Sequence, residues 1–319
     1  MNEVMVSIHC LTFNHEKSIR DALDGFLMQK TNFSYEILIH DDASTDATAS
    51  IIRSYEKQYP DIIKPIYQTE NQYSKGAKLT PLNISRAKGK YIASCEGDDF
   101  WTDPNKLQKQ FDYMEAHPEC SICVHGSKRI SIDKKDLKCP IRPCTGNQNI
   151  STENIIIFRR SGFVQLSSYF YRREYTENLP YYYDIAPVGD YPLMLHLALQ
   201  GDVYYFDELM SSYRVNNPGS WTDSIYNDNE RYTKHVEEIY NMLDEFNKYT
   251  DYKYIDEINE SKAYHSFTRL LKIGSFKEAL SDEYKDFFME LCPSIRYKIR
   301  FKAYFPKTTR LIFKLMGRI

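Results

Sequence analysis

Four short runs of apolar and β-branched residues, at positions 4–10, 35–40, 62–67 and 91–95, alternate with stretches whose apolar residues recur at helical spacing. Ile19, Ala22, Leu23, Phe26 and Leu27 share one face of the first such stretch, and Ile51, Ile52 and Tyr55 share one after the second run. A strand that is apolar throughout needs cover on both faces, and strand–helix alternation supplies it by laying parallel strands beneath crossover helices. The expected fold is therefore α/β, a mostly parallel sheet flanked by helices. Ligands of such sheets bind beyond the carboxyl ends of the strands. The three most polar turns fall at those ends: Thr12-Phe13-Asn14-His15, Asp41-Asp42-Ala43-Ser44-Thr45-Asp46 and Glu96-Gly97-Asp98-Asp99. Topology alone brings them together.

After Pro104 the pattern predicts a helix to about His117, a strand at 120–127, a polar excursion over 128–149 and a strand at 165–171. Gly189-Asp190-Tyr191-Pro192 opens a further helix, and two short closing strands are expected at 203–206 and 210–214. From 228 onward the spacing is helical, over 232–248, 254–272 and 276–291. A turn-rich stretch holding Pro218-Gly219 sets the boundary. The expected organisation is a catalytic domain over 1–216 and a helical C-terminal region over 217–319.

A formal net charge of -3 argues against a nucleic-acid partner, which draws a strong basic excess. No apolar run is long enough to span a bilayer, and the opening MNEVMVSIHC reads as a strand and not as a secretion signal. Seven cysteines in such a chain suit reduced thiols and a cytoplasmic location. Cys120, Cys123, Cys139 and Cys144 have spacings a zinc ion can use, but Cys120 and Cys123 lie in a run that reads as a buried strand, so core thiols are the preferred reading.

Three acidic positions bear on chemistry. Asp98-Asp99, reinforced by Glu96, could hold a hard divalent cation against a diphosphate whose charge builds as a bond breaks. A helix cap before Pro104 would need only one of them. Asp41-Asp42 could recognise a base and ribose or cap the next helix. Asp190 could act as general base at a rigid cleft edge or serve as an N-cap; spacing leaves both readings open.

Val6-Ser7-Ile8, Thr12-Phe13-Asn14, Gln29, Glu36-Ile37-Leu38-Ile39 and the 41–46 turn together resemble the opening of family 2 glycosyltransferases. Asn71, Gly76, Ala87-Lys88-Gly89-Lys90-Tyr91-Ile92 and Glu96-Gly97-Asp98-Asp99 continue the resemblance in order, and Gly189-Asp190 resembles the segment that carries that family's catalytic base. The likeness covers roughly the first two thirds of the chain, and its specificity lies in the ordered set. It implies a GT-A fold, a nucleotide-sugar donor that is often UDP-linked, Mg2+ or Mn2+, and inversion at the anomeric carbon. Thr12, Phe13, Asn14, Asp41, Asp42, Gly76 and Asp98 would then lie on the donor side. Phe13 and Asp42 would contact the base, and Asp41 would support that strand end. Asp98 would stand against the ribose and metal, Asp99 would ligate the metal, Asp190 would deprotonate the acceptor hydroxyl, and Trp101 would line the cleft.

Two departures stand out. Asn216-Asn217 follows the closing strand where many relatives carry a His near the metal, and Leu82 stands before Asn83 where an Arg is usual. The resemblance further implies a glycan or lipid-linked acceptor in cell-surface polysaccharide synthesis. Segment 293–319 carries eight Lys or Arg, no Asp or Glu, and interleaved aromatics. It suits either contact with an anionic membrane at the inner cytoplasmic face or packing as a solvated helix. The rival readings are a nucleotidyltransferase, which would want a Gly-rich basic loop after the first strand, and a catalytically silent nucleotide- or glycan-binding protein.

Overall fold

Strands β1 (Val4–Thr12), β2 (Ser34–Asp41), β3 (Ile63–Tyr67) and β4 (Tyr91–Ser94) lie side by side in the order β3-β2-β1-β4, every pair parallel, in a computed structural model that describes residues 3–157, 164–215 and 221–306. Helices α1 (Ile19–Leu27), α2 (Thr48–Gln58) and α3 (Leu79–Ile84) connect them. Val6, Ile8, Cys10, Ile37, Ile39 and Ala93 pack with Ala22, Leu23, Phe26 and Ile52 in one core on one face of the sheet, while Ser7, His9, Glu36 and His40 are buried on the other. The rest of the sheet is mixed. Next come β5 (Phe100–Trp101), α4 (Lys106–Ala116), β6 (Cys120–Ile130), β7 (Gln148–Ile150), α5 (Thr152–Ile157) and β8 (Phe170–Arg172). After α6 (Tyr181–Ile185) and α7 (Asp190–Gln200), β9 (Asp202–Arg214) completes the order β3-β2-β1-β4-β8-β6-β9-β5, with β7 on β9. β8 runs antiparallel between β4 and β6, while β6 and β9 are parallel.

The chain forms two compact units, Met1–Pro218 and Gly219–Ile319. The second unit holds α8 (Trp221–Tyr226), α9 (Asn229–Tyr249), α10 (Ile255–Ile273), α11 (Lys285–Glu290) and α12 (Pro293–Tyr304). Asp228 caps α9 by accepting from the N–H groups of Glu230 and Arg231, at 2.9 and 3.1 Å. Phe267, Leu270, Tyr284, Phe287, Phe288 and Ile299 form a core within this unit.

Several expectations are corrected. Residues 203–214 form one strand, because the polar pair Asp207-Glu208 is absorbed where the β6 register shifts between His125 and Ser127. The run at 165–171 is a 3-10 turn, Leu166–Ser168, before a three-residue strand. The helix expected at 276–291 breaks into two 3-10 turns and α11, with Ser281 extended between the turns. Trp101 does not line a cleft. It is 1% exposed, donates from Nε1 to Ser167 O at 2.8 Å, meets Phe26 edge-on at 4.9 Å and carries the Lys106 ammonium 4.1 Å above its ring. Its apolar bulk and one satisfied donor make it a core anchor. Cys120 and Cys123 are buried on β6, Cys139 is exposed and Cys144 is partly buried.

The entry to β4 shows why local sequence matters there. Glu36 Oε1 accepts from Ser7 Oγ at 2.7 Å and from Lys88 N at 2.8 Å, and Ser7 Oγ accepts from Gly89 N at 2.9 Å. This closes three strands around one buried polar knot. A Cβ on Gly89 would sit 2.6 Å from Ser7 N and 2.7 Å from the Val6 carbonyl carbon, both backbone atoms of a central strand. Gly89→Ala is therefore expected to lower stability by about 2 kcal/mol, an overpacking cost. Urea unfolding followed by far-UV circular dichroism measures it. An unchanged midpoint would mean that β1 and β4 are not so tightly apposed.

Candidate active site

The carboxyl ends of β1, β2 and β4 form one edge, and hydrogen bonds between their turns build the site. Asp42 N donates to Thr12 O at 3.0 Å and Gly97 N donates to Leu11 O at 2.9 Å. Asn14, in the left-handed region at φ 57°, donates from its N–H to Ser44 Oγ at 2.9 Å and accepts Thr45 N at 2.8 Å through its side chain. Ser44 Oγ donates in turn to Asp41 Oδ1. Ala43 also sits at positive φ, 62°, where a Cβ is disfavoured by about 1 kcal/mol or more. Both strained residues belong to the turns that converge.

Asp42 organises the third loop. Its Oδ1 accepts Gln72 N at 2.8 Å, its Oδ2 accepts Tyr73 N at 3.0 Å, and Asn71 reaches its carbonyl at 3.3 Å. The carboxylate is buried, and its Oδ1 also lies 3.7 Å from His40 Nε2. Gly76 ends the short turn Tyr73–Lys75 at φ 84°, with nothing within 4 Å of where a Cβ would stand, so its requirement is conformational and not one of space. Phe13 is 42% exposed beside this edge, while Thr12 and Asp41 are buried beneath it.

The acidic turn after β4 distributes its carboxylates unequally. Asp99 is buried and its Oδ1 accepts Arg214 N, at the end of β9, at 3.0 Å. Asp98 is more open, with 19% of its side chain accessible and Oδ2 4.0 Å from His15 Nε2. The sequence reading names both Asp98 and Asp99 as metal ligands; Asp98 is the more accessible of the two, and Asp99 has a backbone donor on one of its oxygens. The Arg214 guanidinium reaches Asp98 O and Asp21 Oδ2, and lies 5.1 Å over the Phe100 ring. Asp21 also accepts from Lys134 Nζ at 2.6 Å.

Asp190 opens α7, accepts Tyr191 N at 2.8 Å and is half-buried; desolvation raises its pKa. Glu96 is solvent-accessible yet deep among protein atoms, and that desolvation, with the charges of Asp98 and then Asp190, pushes its carboxyl up to about 8. Burial and Asp98 raise Asp99 as well. Tyr169 links the end of β4 to the start of α7, accepting Ser94 N at 3.1 Å and donating from its hydroxyl to Asp190 O at 3.4 Å. Among the described residues no three His, Cys, Asp or Glu side chains form a ready-made metal site. A hard cation held by one or two carboxylates and completed by phosphate oxygens and water needs no such cage, and crowded like charges suit one. Arg214 and His15 were not singled out in the sequence. A charged residue ending a buried strand was the available signal for the first, and membership of the 12–15 turn for the second. Asn216 and Asn217 lie outside the described residues.

Comparison with known proteins follows the same lines. The model of the family "Glycosyl transferase family 2" matches residues 7–178. An uncharacterized protein of Mycobacterium tuberculosis is 38% identical over 232 residues, 71% of this chain and 63% of that protein, so the chain spans less than two thirds of that relative's length. A putative teichuronic acid biosynthesis glycosyltransferase of Bacillus subtilis is 34% identical over 129 residues, 40% of this chain and 49% of that protein. Among solved structures, S. aureus TarS 1-349 in complex with UDP-GlcNAc superposes with a TM-score of 0.61 at 16% identity, covering 93% of this chain and 87% of that one. A mannosyltransferase from Pyrobaculum calidifontis in complex with GDP-Man and Mn2+ gives 0.53 at 14% identity, covering 96% and 88%. The sheet flanked by helices is the GT-A fold that these structures share.

The Glu96 carboxyl has a pH consequence. The folded chain retains there a proton that the unfolded chain releases above the ordinary value of 4.5, so stability falls as pH rises from 4.5 toward about 8. Glu96→Gln is expected to remove that part of the slope and to gain most in stability at the upper end. Denaturant midpoints of both proteins across this window test it. Parallel slopes would mean that the Glu96 carboxyl titrates as an ordinary surface acid.

Proposed function

Because this chain belongs to glycosyl transferase family 2, we propose that it moves a sugar from a nucleotide diphosphate sugar, UDP-linked in our reading, to an acceptor hydroxyl with inversion. The observation that carries the proposal is the approach of the start of α7 to the end of β4: Tyr169 accepts Ser94 N at its carbonyl at 3.1 Å and donates from its hydroxyl to Asp190 O at 3.4 Å. A base and a diphosphate-binding turn on either side of one cleft are what in-line displacement needs.

The exposed Phe13 ring offers a face for the base, and the buried Asp42, on the base side in this reading, fixes the loop that holds Tyr73. Asn14 and Asp41, tied to each other through Ser44, keep that pocket in shape. Gly76 ends the neighbouring loop on the donor side. Asp98 would hold Mg2+ or Mn2+, which supplies charge neutralisation to the departing diphosphate when bound. Asp99 positions the turn through Arg214. Asp190, its pKa raised by burial, takes the proton of the acceptor hydroxyl as that oxygen attacks. The Mn2+ in the mannosyltransferase complex and the UDP-GlcNAc in the TarS complex support the cofactor and donor classes.

Calorimetry with UDP and Mn2+, alongside transfer assays, separates the roles. Asp98→Asn is expected to abolish Mn2+-dependent UDP binding. Asp190→Asn is expected to bind UDP normally and lose turnover by about 10²-fold or more. Normal turnover in Asp190→Asn would leave Asp190 as a helix cap and put the base elsewhere.

The acceptor in this reading is a glycan or lipid-linked chain in cell-surface polysaccharide synthesis, met at the inner face of the cytoplasmic membrane. The teichuronic acid relative supports the pathway class. Among the described residues no helix is long and apolar enough to cross a membrane. Helix α12 supplies the features of a peripheral contact. Ile299 and Ala303 are buried, whereas Tyr297, Tyr304 and Phe305 are 71%, 67% and 55% exposed among Arg296, Lys298, Arg300 and Lys302. Residues 307–319 lie outside the described residues. Replacing Tyr297, Tyr304 and Phe305 together by Ser is expected to reduce co-sedimentation with anionic vesicles about tenfold with the melting temperature unchanged. Equal sedimentation of both proteins would make α12 a solvated surface helix.

A further inference from the structure

We propose that His15 is a nitrogen ligand to the divalent cation at Asp98, an inference that rests on the donor-site reading above. The residue is held from two sides. Its carbonyl accepts Ser18 N and Ile19 N, at 2.9 and 2.8 Å, which ties it to the start of α1. The next residue is tied to the second turn, Glu16 N donating to Asp46 Oδ2 at 3.1 Å and Ala47 N to Glu16 Oε2 at 3.1 Å. The imidazole is therefore carried on fixed backbone, and 18% of the side chain is accessible.

Nε2 stands 4.0 Å from Asp98 Oδ2. That is too long for a hydrogen bond, and about 1 Å longer than the roughly 3.0 Å between cis ligand atoms that each lie about 2.1 Å from one ion, so joint ligation requires the ring to turn. The other ring nitrogen supports the same assignment. His15 Nδ1 and Thr12 Oγ1 are both buried and both lack a hydrogen-bond partner. They flank Gly97: a Cβ there would meet Thr12 Oγ1 at 2.8 Å and His15 Nδ1 at 2.9 Å. The missing side chain leaves room for the ring to turn until Nδ1–H donates to Thr12 Oγ1. That bond puts the proton on Nδ1 and leaves the Nε2 lone pair facing Asp98, the second-sphere arrangement common to ligating histidines. The two orphaned polar atoms thus satisfy each other when the ring engages the ion.

Pulsed electron paramagnetic resonance of Mn2+ and UDP bound to protein labelled with [15N]histidine tests this without turnover. Wild type is expected to show coupling to a histidine nitrogen. His15→Gln is expected to lose it, with Mn2+ binding weakened about tenfold or more. Gly97→Ala, which fills the space beside Nδ1, is expected to weaken the coupling while Asp98 stays in place. Bound Mn2+ without histidine coupling in wild type, or coupling that survives His15→Gln, overturns the proposal and leaves the cation at Asp98. Wild type that binds no Mn2+ with UDP overturns the cation site itself and this proposal with it.

Discussion

Arg214 makes the acidic edge possible. Glu96, Asp98, Asp99 and Asp190 gather negative charge where burial already disfavours it, and each nearby carboxylate adds to the cost. One residue at the end of β9 answers from three groups: its N–H bonds Asp99, and its guanidinium meets the Asp98 carbonyl and the Asp21 carboxylate. Arg suits this because its fork donates in several fixed directions and stays charged when enclosed. A buried pair of this kind adds little net stability once desolvation is counted, so its value lies in geometry. It fixes the turn after β4 to α1 and to the last strand at once.

The remaining turns are fixed by short polar side chains. Asn14, Ser44 and Asp41 form a chain across the ends of β1 and β2, and Asp42 holds the loop after β3 by two backbone donors. Side chains of this size bond to nearby backbone at low entropic cost and tolerate left-handed residues such as Asn14. The strain at Asn14 and Ala43 is sustained because both strands beneath are largely buried. A largely buried floor thus carries a polar rim with two residues at positive φ.

Residues were hardest to assign where one local pattern had two uses. Asp98 and Asp99 are chemically identical neighbours, and only β9, arriving from more than a hundred positions away, gives one of them a backbone partner. Trp101 follows a polar turn in the manner of a cleft residue, yet Ser167 and Phe26 close over it. Asp207-Glu208 looks like a turn, and a register shift in the partner strand lets one long strand absorb it. His15 stood within a turn already marked as polar, but its nearness to Asp98 needs the sheet to bring β1 beside β4.

The sequence by itself determined the parallel half of the sheet, its helices and the convergence of the three polar turns, because periodicity and burial of continuous apolar strands are local properties that leave one arrangement. The ordered motifs carried the family as well. Only the tertiary structure decided which carboxylate stays open, which aromatic is core, and which charges face one another. Those depend on contacts between residues distant in the chain, and on desolvation that no single segment experiences until the whole sheet has closed around it.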